Sequence, residues 1–212
     1  NQAIATVKPS APVGELLAEL DALTGLAGIK THVRAQCDYI RVQQLRKSRD
    51  LRTDSLNLHS VFVGNPGTGK TTVARLLGEI YHSLGVLPKG HFVETDRAGL
   101  VGAYLGQTAI KTAELIEKAR GGVLFIDEAY ALTGSRSEGD SYGNEAVATL
   151  LKRMEDLRGE LVVIVAGYPD EMGSWIKTNP GLQSRFPQRF VFEDYSAPEL
   201  LSILRSLAKN QD

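Results

Sequence analysis

The chain has 212 residues, 42% of them hydrophobic and 23% charged, which is enough apolar content to fill the core of one domain with a small attachment. Lys plus Arg (24) nearly equals Asp plus Glu (25), so the net charge of -1 gives no reason to expect a nucleic acid or a membrane surface as the main partner. The single Cys37 cannot form an internal disulfide and fits a reducing compartment, where packing is its expected role.

Residues 1–13, "NQAIATVKPSAPV", are polar and proline-bearing and read as a linker, with neither the basic start nor the apolar centre of a signal peptide. No apolar run is long enough to span a bilayer, so membrane insertion is not expected and a cytoplasmic protein is. Because the chain opens on Asn1 rather than methionine, it is expected to be an excerpt of a longer protein. Segment 14–23 carries apolar residues at helical spacing, and a long helix follows, with Ile29, Val33, Ile40 and Leu45 on one face and cations crowding its last turns. Strands are predicted at 58–64, 91–96, 122–129, 160–168 and 188–194. Helices are predicted between them, from the glycine-rich turn to Gly85, over 107–120, over 144–157 and over 169–178; Ser196 and Glu199 form a capping box for a last helix. Strands apolar along their whole length that alternate with helices predict an α/β fold, a central five-stranded mostly parallel sheet covered by helices on both faces.

The stretch "GNPGTGKT" at 64–71 satisfies G-x-x-x-x-G-K-[ST], directly after a predicted strand and opening a helix, which is the context a P-loop requires. Gly64, Gly67 and Gly69 let the backbone of the Asn65, Pro66, Gly67, Thr68, Gly69 turn curl so that its N–H groups, which Pro66 lacks, face phosphate oxygens at a helix N-terminus. Lys70 is expected to reach the β- and γ-phosphates of ATP and Thr71 to ligate Mg²⁺; Thr72, one position on, belongs to the same cradle but is expected to pack. A second metal anchor is expected at the carboxyl end of a buried strand. "VLFIDE" supplies Asp127 for Mg²⁺, partly through water, and Glu128 to polarise the attacking water, so hydrolysis rather than nucleotide storage is expected. His32, His59, His82 and His91 share no metal-ligand spacing with Cys37.

"GNPGTGKTT", "GGVLFIDEAYAL", "VAGYPDEM" and "NPGLQSRF", in this order and spacing, closely resemble the AAA+ ATPases of the CbxX/CfqX type. That group includes red-type Rubisco activase, the stage V sporulation protein K and the EccA ATPases of type VII secretion, and the resemblance covers roughly residues 20 to 205. It implies a P-loop NTPase large subdomain over 14–195 and the beginning of a truncated helical lid over 196–212. It further implies that Gly25 and Leu26 contact the base, and that Arg185, with Arg189 as a second possibility, is an arginine finger for a neighbouring subunit's γ-phosphate. An arginine acting in trans implies a homo-oligomeric ring, a hexamer, working on an unidentified client protein. Tyr104 and Leu105 in "GAYLGQT" occupy the place of a pore loop that grips polypeptide, and the loop 134–143, with Arg136, Glu138 and Asp140, that of a second one. Where many AAA+ proteins place an asparagine at the tip of the fourth strand, this chain has Gly167 and Tyr168; Tyr168 or Asn179 is the alternative for positioning water. The rival reading is an ATP-dependent assembly scaffold or switch with little turnover, and a DNA-linked role lacks any basic stripe.

Overall fold

In the computed structural model, residues 11–104, 106–133 and 141–209 are described, except for the side chain of Lys209. Five strands, β1 (Ser60–Val63), β2 (Phe92–Thr95), β3 (Val123–Ile126), β4 (Val162–Gly167) and β5 (Gln188–Val191), form one sheet in the order β2-β3-β4-β1-β5. Every neighbouring pair is parallel, so the expected mostly parallel sheet is parallel throughout. The three inner strands are buried at every residue and the edge strands β2 and β5 only in part, which is what parallel strands covered on both faces require.

Alternation along each strand divides the apolar interior into two layers. Phe62, Val123, Phe125, Ile164 and Ala166 face a core shared with α1 (Val13–Ala22), α2 (Ala27–Lys47) and α3 (Lys70–Ser83). Val61, Val63, Leu124, Ile126 and Val165 face the other, closed by α5 (Gln107–Ala119), α6 (Ser141–Asp156), α7 (Pro169–Lys177) and α8 (Pro180–Arg185). Cys37 and Trp175 lie inside these cores, and burial pushes the Cys37 thiol above its ordinary pKa, which suits a packing role.

Several elements depart from the sequence expectation, among them the following three. The long helix begins only at Ala27, because Leu26 holds a left-handed backbone at φ 59° that breaks the turn before it. A short helix α4 (Arg97–Leu100), capped by the Asp96 carboxylate accepting from the Gly99 N–H at 3.0 Å, lies between β2 and α5. β5 stops at Val191 rather than at residue 194, because its partner β1 ends at Val63 and Gly64 turns away. α9 (Ala197–Lys209) opens at the expected box, with the Ser196 N–H and hydroxyl donating to Glu199 Oε2 at 2.8 and 2.6 Å.

Candidate nucleotide site

The carboxyl ends of β1, β3 and β4 meet where β1 stands between β4 and β5, the place where open parallel sheets gather ligands. The P-loop leaves β1 there. Gly64 donates its N–H to Gly167 O at 3.2 Å, and a methyl group on its Cα would collide with the Phe192 carbonyl, so the loop passes against the β5 exit at a distance only glycine permits. Gly69 has φ 92° and caps α3, which starts at Lys70. The turn is held from within by the Thr68 hydroxyl donating to Asn65 O at 2.7 Å.

Lys70 folds its ammonium over this turn, donating to Gly64 O at 2.8 Å and Asn65 O at 2.7 Å. Partial burial lowers its pKa from the ordinary lysine value while the Asp127 carboxylate raises it, so the two predicted phosphate and metal residues share one electrostatic neighbourhood. Asp127 follows β3, its N–H donating to Thr95 O at 2.8 Å, and its carboxylate accepts from the Glu128 N–H at 3.0 Å. Glu128 is exposed and adopts φ 48°, a left-handed backbone costly for a residue with a Cβ and concentrated at functional sites. Thr71 is half-buried beside Lys70 and Thr72 is exposed on the outer side of the first turn of α3. A hydroxyl and a carboxylate next to a glycine cradle and an ammonium are hard oxygen donors of the kind Mg²⁺ selects, so these residues fit a Mg²⁺-bound triphosphate.

A second wall was not visible in the sequence. The Tyr195 hydroxyl donates to Thr68 O at 3.1 Å, and its oxygen lies 3.2 Å from where a Gly69 methyl would sit, with a Leu26 methyl at 3.8 Å from the same point. A methyl on Gly25 would meet Glu199 Oε1 at 2.6 Å and the Tyr195 ring at 3.3 Å, so Gly25 and Leu26 border the P-loop through Tyr195. Asn65 Nδ2 donates to both oxygens of Asp194 at 2.9 Å. Leu26, His32, Arg189, Phe190, Asp194 and Tyr195 help line a cavity of about 320 Å³, at the lower end of small-ligand pockets. Position was the available signal for Asp194 and Tyr195, which end and follow a predicted strand at the edge where ligands gather.

Other predicted residues stand apart. Arg185 ends α8 at the opposite, amino edge of the sheet, donating to Glu155 Oε2 at 2.8 Å, beside His59, which immediately precedes β1. Arg189 is exposed on β5. Asn179 spends its side-chain oxygen capping α8, accepting from the Gly181 N–H at 2.7 Å, while Tyr168 precedes α7 with its ring 6.2 Å from that of Tyr130. Tyr104 is 71% exposed on a turn tied to α5, where the Gly102 N–H donates to Thr108 Oγ1 at 3.0 Å and Gly106 caps the helix at φ 82°. Leu105 and residues 134–140, which include Arg136, Glu138 and Asp140, lie outside the described residues. Among the described residues no helix is long and apolar enough to cross a membrane.

Residues 60–194, from the P-loop strand to Asp194, match the ATPase family associated with various cellular activities (AAA). The chain belongs to that AAA family. Within it the chain falls in the CbxX/CfqX group: it is 46% identical over 198 residues to the stage V sporulation protein K of Bacillus subtilis (strain 168), covering 93% of this chain and 61% of that protein. It is 45% identical over 199 residues to protein CbbX of Cereibacter sphaeroides, 93% of this chain and 64% of the relative. To the chloroplastic ribulose bisphosphate carboxylase/oxygenase activase of Cyanidioschyzon merolae (strain NIES-3377 / 10D) it is 44% identical over 200 residues, 94% and 68%. This AAA chain thus spans about three fifths to two thirds of the length of these relatives. The FIGL-1 AAA domain, solved in complex with ADP, superposes with a TM-score of 0.63 at 20% identity over 97% of this chain and 63% of its own, which identifies the AAA fold.

Proposed function

We propose that this AAA chain hydrolyses ATP as the motor of a homomeric hexameric ring that pulls on or remodels a partner protein. The observation that carries the reading is the division of the machinery between the two edges of one sheet. Lys70, Thr71, Asp127 and Glu128 sit at the carboxyl edge, and Arg185 sits at the amino edge beyond strands roughly 13 Å long. An arginine so placed serves no phosphate on its own P-loop; if it serves one at all, a second copy holds it, and that heterologous contact, repeated with a rotation that closes, builds a ring.

In this reading the P-loop N–H groups and Lys70, turned from Gly64 O and Asn65 O, hold the phosphates, while Leu26, Gly25 and Tyr195 border the base. Mg²⁺, carried by the Thr71 hydroxyl and Asp127, would draw charge from the β- and γ-phosphates. Glu128 takes the proton of the attacking water, and Arg185 of the neighbouring copy stabilises charge on the transferring phosphoryl. Tyr104, exposed on its short turn, supplies the grip on polypeptide. Residues 14–195 form the large subdomain, and α9 begins a helical lid whose Leu200, Leu204 and Leu207 are at the surface, which supports further helical packing there. The name of the Cyanidioschyzon relative, an activase of another enzyme, supports a protein as the client.

The test is a trap. With Glu128→Gln and ATP, the assembled full chain is expected to retain a defined protein, identified by mass spectrometry, and Tyr104→Ala is expected to release it. Remodelling that survives Tyr104→Ala but not Glu128→Gln would remove the threading part. A ring that holds nothing and turns over little ATP would favour an assembly switch.

A further inference from the structure

The amino edge holds an arrangement that the proposed reaction does not by itself explain. Glu155 Oε2, at the end of α6, accepts from two guanidinium groups at once, Arg185 Nη2 at 2.8 Å and Arg158 Nη2 at 2.7 Å. Arg158 is the more exposed and Arg185 the less, with side chains 64% and 29% accessible. Arg185 makes one further, weak contact, from Nη1 to Ser184 Oγ at 3.5 Å, and its buried Nε has no acceptor among the described residues.

A guanidinium meant for another subunit's phosphate faces two conflicting needs. It must be held, because a free arginine loses several rotamers on reaching its target. Yet a carboxylate that holds it offsets the positive charge it delivers. The arrangement here reconciles them: Arg158 balances the charge of Glu155, and the trio keeps a net charge of +1 centred on Arg185. We propose that Glu155 and Arg158 form a neutral bracket that aims Arg185 at the nucleotide of the neighbouring subunit, Glu155 supplying the direction and Arg158 preventing the carboxylate from cancelling the finger's charge. Both are positioning residues, acting only through Arg185. The proposal rests on the reading of Arg185 as a finger in trans, and it predicts couplings that a merely structural ion pair lacks.

Steady-state ATP hydrolysis by the full chain, with nucleotide affinity and melting temperature measured on each variant, tests it. Arg185→Ala is expected to lower kcat by about 10³, and Glu155→Ala by about tenfold with KM and nucleotide affinity unchanged. The double variant is expected to be no slower than Arg185→Ala alone, since a bracket has nothing to aim once the finger is gone. Arg158→Ala is expected to lower kcat by about threefold to tenfold, and adding Glu155→Gln to it to raise kcat again, because the amide keeps an acceptor on Arg185 while removing the uncompensated charge. If Arg185→Ala leaves kcat intact, or the unaltered protein shows no turnover, the finger reading falls and the bracket with it. If Arg185→Ala slows turnover but Glu155→Ala does not, or if the losses multiply in the double variant, the bracket alone is overturned. Should Glu155→Ala fail to fold, the Arg158→Ala pair still decides: a further loss on adding Glu155→Gln overturns the bracket.

Discussion

The two edges of the sheet solve opposite problems. At the carboxyl edge backbone does most of the work: glycines at positive φ, strand-end carbonyls and helix N–H groups make an open, polar cradle in which Lys70 is held only by carbonyls it can leave. At the amino edge side chains do the work: Glu155 gathers two arginines, and His59 is buried against Phe186 with its Nδ1 accepting from the Val163 N–H at 2.9 Å. On the proposed reading, the difference teaches how one subunit could serve two reactions. The edge that binds must accommodate a ligand that comes and goes, whereas an edge that reaches into a neighbour must already hold its shape before the neighbour arrives.

The sharpest way to break this comparison is complementation. Lys70→Ala disables the carboxyl edge and leaves the amino edge intact; Arg185→Ala does the reverse. Each alone is expected to lose at least about 10³ in hydrolysis. Mixed in equal amounts and allowed to exchange subunits, they are expected to regain about a quarter of the unaltered rate, because about one interface in four then joins an intact P-loop to an intact arginine. No recovery, with exchange verified by labelled subunits, would mean that Arg185 does not complete a neighbour's nucleotide site and that the division has no catalytic meaning.

The carboxyl edge was legible in the sequence because its chemistry is local. "GNPGTGKT" joins a turn to the start of a helix and "VLFIDE" a strand to its acidic end, so each candidate group stands within one short run beside the element that positions it. The inner strands were legible for a similar reason, being almost wholly apolar, with Ser60 at the start of β1 the polar exception. What escaped is held across the chain. Tyr195 meets Thr68 and Asp194 meets Asn65 over more than a hundred residues, and Glu155 finds Arg185 thirty residues away. Single polar residues on helix ends look like ordinary surface groups until the fold places them together. α4 and α8 were missed because a helix of four or six residues shows too little periodicity, and Asn179 looked available for catalysis because its capping partner, the Gly181 N–H, is recognisable only once α8 exists.

The amino edge also makes a smaller prediction about pH. Burial, and then the positive charge of Arg185 and Arg158, push the His59 pKa from 6.5 down to about 4. The Val163 N–H points at Nδ1, so that nitrogen must stay unprotonated to accept. Between pH 6.5 and 4 the unfolded chain therefore binds a proton that the folded chain does not, and stability falls as pH falls through that window, by up to about 3 kcal/mol. Above pH 6.5 both states are neutral and the contribution is fully present. His59→Asn, which keeps an acceptor but cannot titrate there, is expected to flatten this part of the stability curve in denaturant titrations. Parallel curves for the two proteins would show that the amino edge is less dry and less positive than its geometry implies.

The smallest effect lies where the carboxyl edge borrows a side chain, and it sharpens the comparison by testing its exception. Tyr195→Phe removes one hydrogen bond, to Thr68 O, and the oxygen beside Gly69, while keeping the ring beside Gly25. Loss of the bond is expected to lower folding stability by about 1 kcal/mol, since the Thr68 carbonyl is left without its donor. Its effect on nucleotide affinity is the more informative quantity. If the hydroxyl merely closes the loop, ATP affinity is expected to stay within about twofold of the unaltered protein, whereas a hydroxyl that pre-shapes the cradle makes its removal cost about fivefold to tenfold. A backbone cradle that shapes itself calls for the first result, because the internal bond from Thr68 Oγ1 to Asn65 O at 2.7 Å and the left-handed glycine at the start of α3 remain in place without Tyr195. The second would place part of the binding machinery on the segment that leads into α9, so that movement of that helix and occupancy of the P-loop would be linked through one phenol.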